Sequence, residues 1–334
     1  MSKKSKRKNN LKESIILLLL LILLLVSSTY AWFTANETVK ISTIDVTIAA
    51  SNGLQISTDA TTWKALIVNT DITTDAYTDN TNEIPESMVP VSTIGEVDTT
   101  TGGIKMFTGT VLPDGTTGLD ELTAVAAPEG TSKFIAFDIF LKVDDTTPLN
   151  LTTTSGVVSM GDSSEGIKQA SRIAFVIQGT LPAGSALTDL TALKADSAEA
   201  PVYIWEPNSN LHTAAAIAHA NSAYGITGIT TDTNGVGSGS IPYYGIKAEI
   251  SDGILVSETN DADANSTYFA SVTPDYITEA DKDGVMAAEK SIFTLNAGIT
   301  KVRVYMWIEG QDIDCENTAS GTDIGYNLGF TVAE

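Results

Sequence analysis

Oxygen-bearing side chains at alternate positions are the most specific chemical pattern in this chain. Asn260, Asp261, Asp263 and Asn265 follow the spacing of the first half of a calcium-binding hand loop, in which every second residue supplies an oxygen ligand. The sixth place of such a loop would fall on Ser266 instead of glycine, and the twelfth on Val272 instead of a bidentate acid, so the full loop is absent. Asp261, Asp263 and Asn265 therefore stand as candidate calcium ligands. Calcium is the only cofactor the sequence suggests, and none is required by it. Asp281 and Asp283 ahead of Gly284, and the pair Asp312 and Asp314, are shorter versions of the pattern, and at each of these places an ordinary acidic loop is the more economical reading.

Other chemistries are poorly supplied. The two histidines, His212 and His219, lie seven apart on an expected helix, and neither an HExxH spacing nor a third ligand accompanies them, so they read as a polar helix face. With two histidines and the single Cys315, histidine-assisted nucleophilic catalysis has few candidates, and neither GxSxG nor GxxxxGK[ST] occurs. The glycine-rich run 235–239 precedes no helix, which argues against a phosphate loop. Carboxylates abound, but nothing singles out the pair that glycoside hydrolysis needs. No catalytic residue is assigned. Trp63, Trp205 and Trp307 fall in expected strands and read as packing residues rather than as a carbohydrate platform.

Net charge narrows the partners. The 334 residues hold 41 acids and 19 bases, a formal charge of −22. Six of the bases and one acid, Glu13, lie in the first thirteen residues, so the remainder is near −27 and repels nucleic acid and anionic lipid. A hydrophobic content of 43% is too high for a disordered acidic tail. One cysteine precludes an intrachain disulfide, so stability must come from the core, ions or assembly.

What positions these groups is set first by Leu11 to Asn36. A basic head (Lys3, Lys4, Lys6, Arg7, Lys8, Lys12), the apolar run Ile15 to Val26 and small residues up to Ala31 follow the order of a secretory signal. A twelve-residue helix is roughly 18 Å long, short of the roughly 30 Å hydrocarbon core. The absence of charge between Ser14 and Asn36 also suits an uncleaved signal-anchor reaching to Phe33. In both readings the bulk is exported and only the N-terminal segment touches the membrane. Residues 1–31 are thus a signal peptide or anchor, and 32–334 an extracellular domain, with an elaborated sub-domain around 180–300.

Short β-branched runs separated every eight to twelve residues by Thr, Ser, Asp, Asn and Gly predict an all-β sandwich, jelly-roll-like, with long loops and one or two short helices. Val39 to Ala50 alternates, then shifts phase at Ile44, predicting a bulge. Asn52-Gly53 predicts a hairpin into Leu54 to Ser57. Lys133 to Val143 puts Ile135, Phe137, Ile139, Leu141 and Val143 on one wholly apolar face, the mark of a central strand. Strands are also expected at 63–68, 88–93, 104–112, 149–153, 171–178, 202–205, 241–256, 292–295, 301–309 and 324–332. Residues 69–87 and 113–130 read as surface loops, Leu211 to Asn221 as a helix capped by Asn210, and Thr278 to Lys290 as a second helical piece.

Ser28-Thr29-Tyr30-Ala31-Trp32-Phe33, followed by an alternating strand ending at Asp45 to Ala49 and a turn, resembles the processing region of TasA/camelysin-type proteins. These are biofilm-matrix and surface-fibre proteins of Gram-positive bacteria, with signals cut by a dedicated SipW-type signal peptidase. The resemblance covers about the first fifty residues. It implies cleavage near Ala31 and Trp32, a jelly-roll body, and fibre assembly in which the N-terminal strand of one subunit completes the sheet of the next. The donor would be Trp32, Phe33, Val39, Ile41, Ile44, Val46 and Ile48. The implied partners are further copies or other matrix proteins, besides the signal peptidase. The peptidase activity described for camelysins finds no HExxH here. The expectation is a non-enzymatic surface or matrix protein. The alternatives are an adhesin or carbohydrate-binding module using loops 69–87, 113–130 or 225–239, and a secreted hydrolase. No LPxTG or apolar C-terminal tail is seen, so retention at the cell is expected to come from assembly or from the N-terminus.

Overall fold

The computed structural model describes residues 39–48, 53–73, 77–78, 80–111, 119–125, 133–159, 167–209, 211–224, 227, 243–250, 267–277, 286, 288–315 and 323–332. Strands are numbered in chain order. One sheet runs β17 (Lys290–Leu295), β10 (Thr147–Leu151), β19 (Asp323–Val332), β1 (Val39–Ile48), β3 (Leu66–Val68), with β11 (Gly156–Ser159) also on β19 and β4 (Ser87–Met88) on β1. The other runs β16 (Tyr276–Ile277), β13 (Val202–Glu206), β12 (Ser171–Leu181), β18 (Gly298–Ile308), β9 (Ile135–Val143), β2 (Gln55–Ser57). Among the described residues three two-stranded sheets lie outside both: β5 (Val97–Asp98) with β6 (Gly103–Ile104), β7 (Met106–Val111) with β8 (Leu119–Val125), and β14 (Tyr243–Ile246) with β15 (Phe269–Val272). The all-β expectation is met.

One hydrophobic core joins the two sheets. Ile44, Val46, Leu149 and Phe330 from the first meet Phe137, Phe175, Val302 and Val304 from the second. Phe175 and Phe330 pack edge to face across the interface at 5.9 Å between centroids. The apolar face expected of β9 lies in this core as read. Its other face is buried as well, except for the half-buried Lys142, because a further layer covers the second sheet. There Phe134, Ala136, Ala174, Tyr305 and Trp307 pack with Val91, Tyr243 and Val272. Consequently all eleven residues of β18, charged ones included, are buried.

The phase shift in β1 is a bulge, with register slipping against β19 between Ile41 and Thr43. The hairpin expected at Asn52-Gly53 does not form. β1 belongs to the first sheet and β2 to the second, where it pairs with β9. Gly53, at φ +78°, sits where the chain crosses the sandwich. Gly53 has the left-handed backbone that favours glycine, but the apolar Ile56 is drawn under β9 instead of back onto β1. The loop expected over 113–130 contains β8, held by β7 and by Leu122, which bridges Ile250 and is buried. Within 69–87, Asn69–Thr73 is a helical turn whose Asp71 accepts the Val68 amide at 3.2 Å. The longer helix is Ala214–Tyr224, not Leu211 to Asn221. Its start is set by Thr213, whose hydroxyl accepts the Ala216 amide at 3.0 Å. Of the second helical piece, 278–285 and 287 lie outside the described residues, Met286 makes a β-bridge, and Lys290 opens β17.

Candidate functional site

Alternation along β18 puts Lys301, Arg303, Tyr305 and Trp307 on its outer face, and Glu309 follows in the same phase just past its end. In the neighbouring strands, Asp138 of β9 sits opposite Arg303, and Arg172 of β12 opposite Trp307. Charges are thereby collected at the two ends of one buried strip, with aromatic rings between them.

At the first end Asp138 is fully buried and bidentate to Arg303, with Nε to Oδ1 at 2.7 Å and a second guanidinium nitrogen to Oδ2 at 3.1 Å. Tyr77 donates its hydroxyl to the same carboxylate, and Lys301 stands 3.4 Å away. Burial pushes the Asp138 carboxyl up, but the Arg303 charge and hydrogen bonds outweigh it and hold it below the ordinary range. Burial also depresses Lys301, which the Asp138 charge offsets only in part. Lys301 donates to the Thr191 carbonyl at 2.7 Å and lies 5.1 Å over the Tyr77 ring. Two cations thus serve one carboxylate.

Beside this network opens a cleft of about 610 Å³, between the outer face of β18 and the segments 104–107, 124–125 and 247–249. Its apolar wall is Ile104, Met106, Phe107, Val125 and Phe134, and its polar groups include Arg303, Tyr305, Lys105 and Lys247. The Tyr305 hydroxyl oxygen accepts the Ile104 amide at 3.2 Å. Gly103 permits this approach, since a Cβ there would come within 2.5 Å of that oxygen.

At the other end Arg172 bridges Glu206, at 3.1 Å, and Asp312. Glu309 accepts Trp307 Nε1 at 3.0 Å and the Gln311 amide at 3.1 Å. Burial lifts its carboxyl to about 7, against the lowering hydrogen bonds of Ser92 and Trp307. His212 Nδ1 lies 2.7 Å from Asp314 Oδ2, and Asp314 Oδ1 accepts the Thr213 amide at 3.0 Å. Burial alone would depress His212; the Asp314 hydrogen bond and charge more than reverse it, so the imidazole is held above its ordinary range. A histidine oriented by an aspartate is half of a nucleophilic triad. Here the far nitrogen, Nε2, is buried, and among the described residues no hydroxyl or thiol reaches it.

The reading of His212 and His219 as one helix face is therefore corrected. His212 precedes the helix, pulled to Asp314 together with the Thr213 amide, and is buried. Asp312 and Asp314 are not an acidic surface loop either; their oxygens are engaged by Arg172, His212 and backbone amides. Among the described residues no group of three or more His, Cys, Asp or Glu is arranged to hold a metal. Asp261, Asp263 and Asn265 lie outside the described residues, as do Asp281 and Asp283, Ala31, Trp32 and Phe33. Trp205 and Trp307 are fully buried, while Trp63 is half-buried, with Lys142 5.5 Å over its ring. Cys315 is buried.

The remaining residues read as a donor strand are all in β1. Val39, Ile44 and Val46 are in the core, and Ile41 and Ile48 pack against it. β1 runs parallel to β19 from Lys40 opposite Asp323 to Ile48 opposite Phe330. Its other side is held by Asp45 to Thr47 on β3 and by Val39 and Lys40 on β4. Comparison of the chain with family models, characterised proteins and solved structures gives no match.

Proposed function

We propose that this protein is an exported, non-enzymatic structural protein of the cell surface or extracellular matrix, assembling head to tail by exchange of β1. The observation that carries this reading is the seat of β1. Take β1, β9, β10, β12, β13, β17, β18 and β19 as strands one to eight of a ribbon. The sheets then read 1-8-3-6 and 2-7-4-5. Strands one and eight, two and seven, three and six, and four and five are neighbours or, for three and six, paired as β10 with β17, as in a ribbon folded back on itself and wrapped into a jelly roll.

In such a ribbon every one of those pairs runs antiparallel, and here all do except the first: β1 is parallel to β19. Its direction is that of a strand laid into the groove beside β19, not of the ribbon's own end. The same ten residues from another copy would make the same hydrogen bonds and fill the same apolar places. Exchange would then cost little beyond opening the connection at 49–53.

The test is sedimentation velocity of the exported chain over a range of concentrations, with and without a synthetic peptide of residues 39–48. Concentration-dependent linear oligomers that the peptide caps are expected. A chain that stays monomeric throughout, at every concentration and with the peptide making no difference, would end the proposal.

A further inference from the structure

The cleft beside β18 departs from the charge of the molecule around it. Acids outnumber bases 41 to 19 in the chain, yet the cleft is lined by three bases, Lys105, Lys247 and Arg303, and two acids, Asp98 and Glu249. Both acids are already engaged. Asp98 accepts the Thr100 amide at 2.9 Å and the Thr101 hydroxyl at 3.0 Å, and Glu249 accepts the Ala124 amide at 2.9 Å. The bases retain capacity. Lys247 makes no ion pair among the described residues, and Lys105 has one exposed partner, Glu96. Arg303 directs two nitrogens at Asp138 and a third at the Thr101 carbonyl, 3.1 Å away, which does not use all five of its N–H groups. Tyr305, whose oxygen accepts a backbone amide, keeps its proton to give. Beneath them Asp138 is shared by Arg303 and Lys301, so the buried floor has more cations than anions.

A charge in a low-dielectric wall calls for a counter-charge. The opposite wall, Ile104, Met106, Phe107, Val125 and Phe134, calls for apolar surface. A volume of about 610 Å³ is in the range of small-molecule sites. We infer that this cleft binds an organic anion with a carboxylate head and an apolar body, the head toward Arg303, Tyr305 and Lys247 and the body against Phe107 and Phe134. Simple inorganic anions would leave the apolar wall wet, and neutral apolar compounds would leave the cations unanswered.

The probe is 3-phenylpropanoate, titrated calorimetrically into the full chain, with 3-phenylpropanamide as its uncharged counterpart. Saturable binding of the carboxylate is expected, at least tenfold tighter than the amide and weakening as salt is raised. Lys247→Ala should weaken it several-fold, and it breaks no ion pair among the described residues. Ala248→Trp, which fills the cleft from its rim, should abolish it while the circular dichroism spectrum and thermal midpoint hold. If the carboxylate does not saturate, or if carboxylate and amide bind alike and neither substitution matters, the inference is wrong.

Discussion

Glu309 sits in an environment that a carboxylate does not prefer. Its carboxyl is fully buried, receives an indole N–H and a backbone amide, and is raised by burial from 4.5 to about 7. The sign of the consequence follows from proton linkage. The folded state holds this proton in the window between the unfolded and folded values, while the unfolded state has lost it. Stability is therefore fully present below about pH 4.5 and drains away as pH rises toward 7. A shift of this size corresponds to about 3 kcal/mol. Glu309→Gln keeps the shape and the acceptor oxygen without the charge. The prediction is that urea unfolding followed from pH 5 to pH 8 shows wild-type stability dropping by about 3 kcal/mol more than the variant's. Parallel pH curves would show that Glu309 does not carry this proton. His212 adds to the slope of both proteins in the same direction, since it too is raised, so the comparison of the two isolates position 309.

At the scale of elements, strands were legible wherever the alternation itself decided a face. The bulge in β1, the apolar face of β9 and the strands read at 171–178 and 301–309, which run 171–181 and 298–308 in the fold, follow from period-two patterning. What escaped was everything that depends on a partner distant in sequence. Asn52-Gly53 is a strong turn signal in sequence, but whether the chain returns to the same sheet or crosses to the other is decided by where Ile56 finds cover. The covering layer was invisible for the same reason. Glu121 and the masses of threonine around β8 look like loop until β7 and Ile250 are known to lie beside them. A signal for the buried charges did exist: Lys301, Arg303 and Glu309 share the phase of Tyr305 and Trp307, which already marked that face as covered. The candidate donor strand makes its own element-scale prediction. Asp45 and Asn327 are register partners on β1 and β19, half-buried on the face away from the core. In an Asp45→Cys, Asn327→Cys double variant, oxidation should lock β1 into its own chain and stop assembly, and reduction should restore it. Oligomers that form equally well from oxidised, internally cross-linked monomer would rule out exchange of β1 as the route.

For the whole molecule, the parallel seat of β1 and the acidity of the surface pull in opposite directions. Exchange preserves the contacts of β1, so its driving force is set by concentration and by the connection at 49–53, with no new apolar area required. Against it stands repulsion between copies that each carry a charge near −27 once the basic N-terminal segment is set aside. At about 10 mM salt the screening length is about 30 Å, comparable to the distance between neighbouring bodies in a chain of subunits, and at 0.15 M it falls to about 8 Å. Assembly of the chain from Trp32 onward should therefore be slow at low salt and accelerate steeply between these two concentrations, as followed by light scattering at fixed protein concentration. The β1 seat itself is not the source of this dependence, because its two ionisable residues, Lys40 and Asp45, are of opposite sign. Rates that are flat across that range, in a chain that does assemble, would place the barrier in strand release and not in the approach of two acidic bodies.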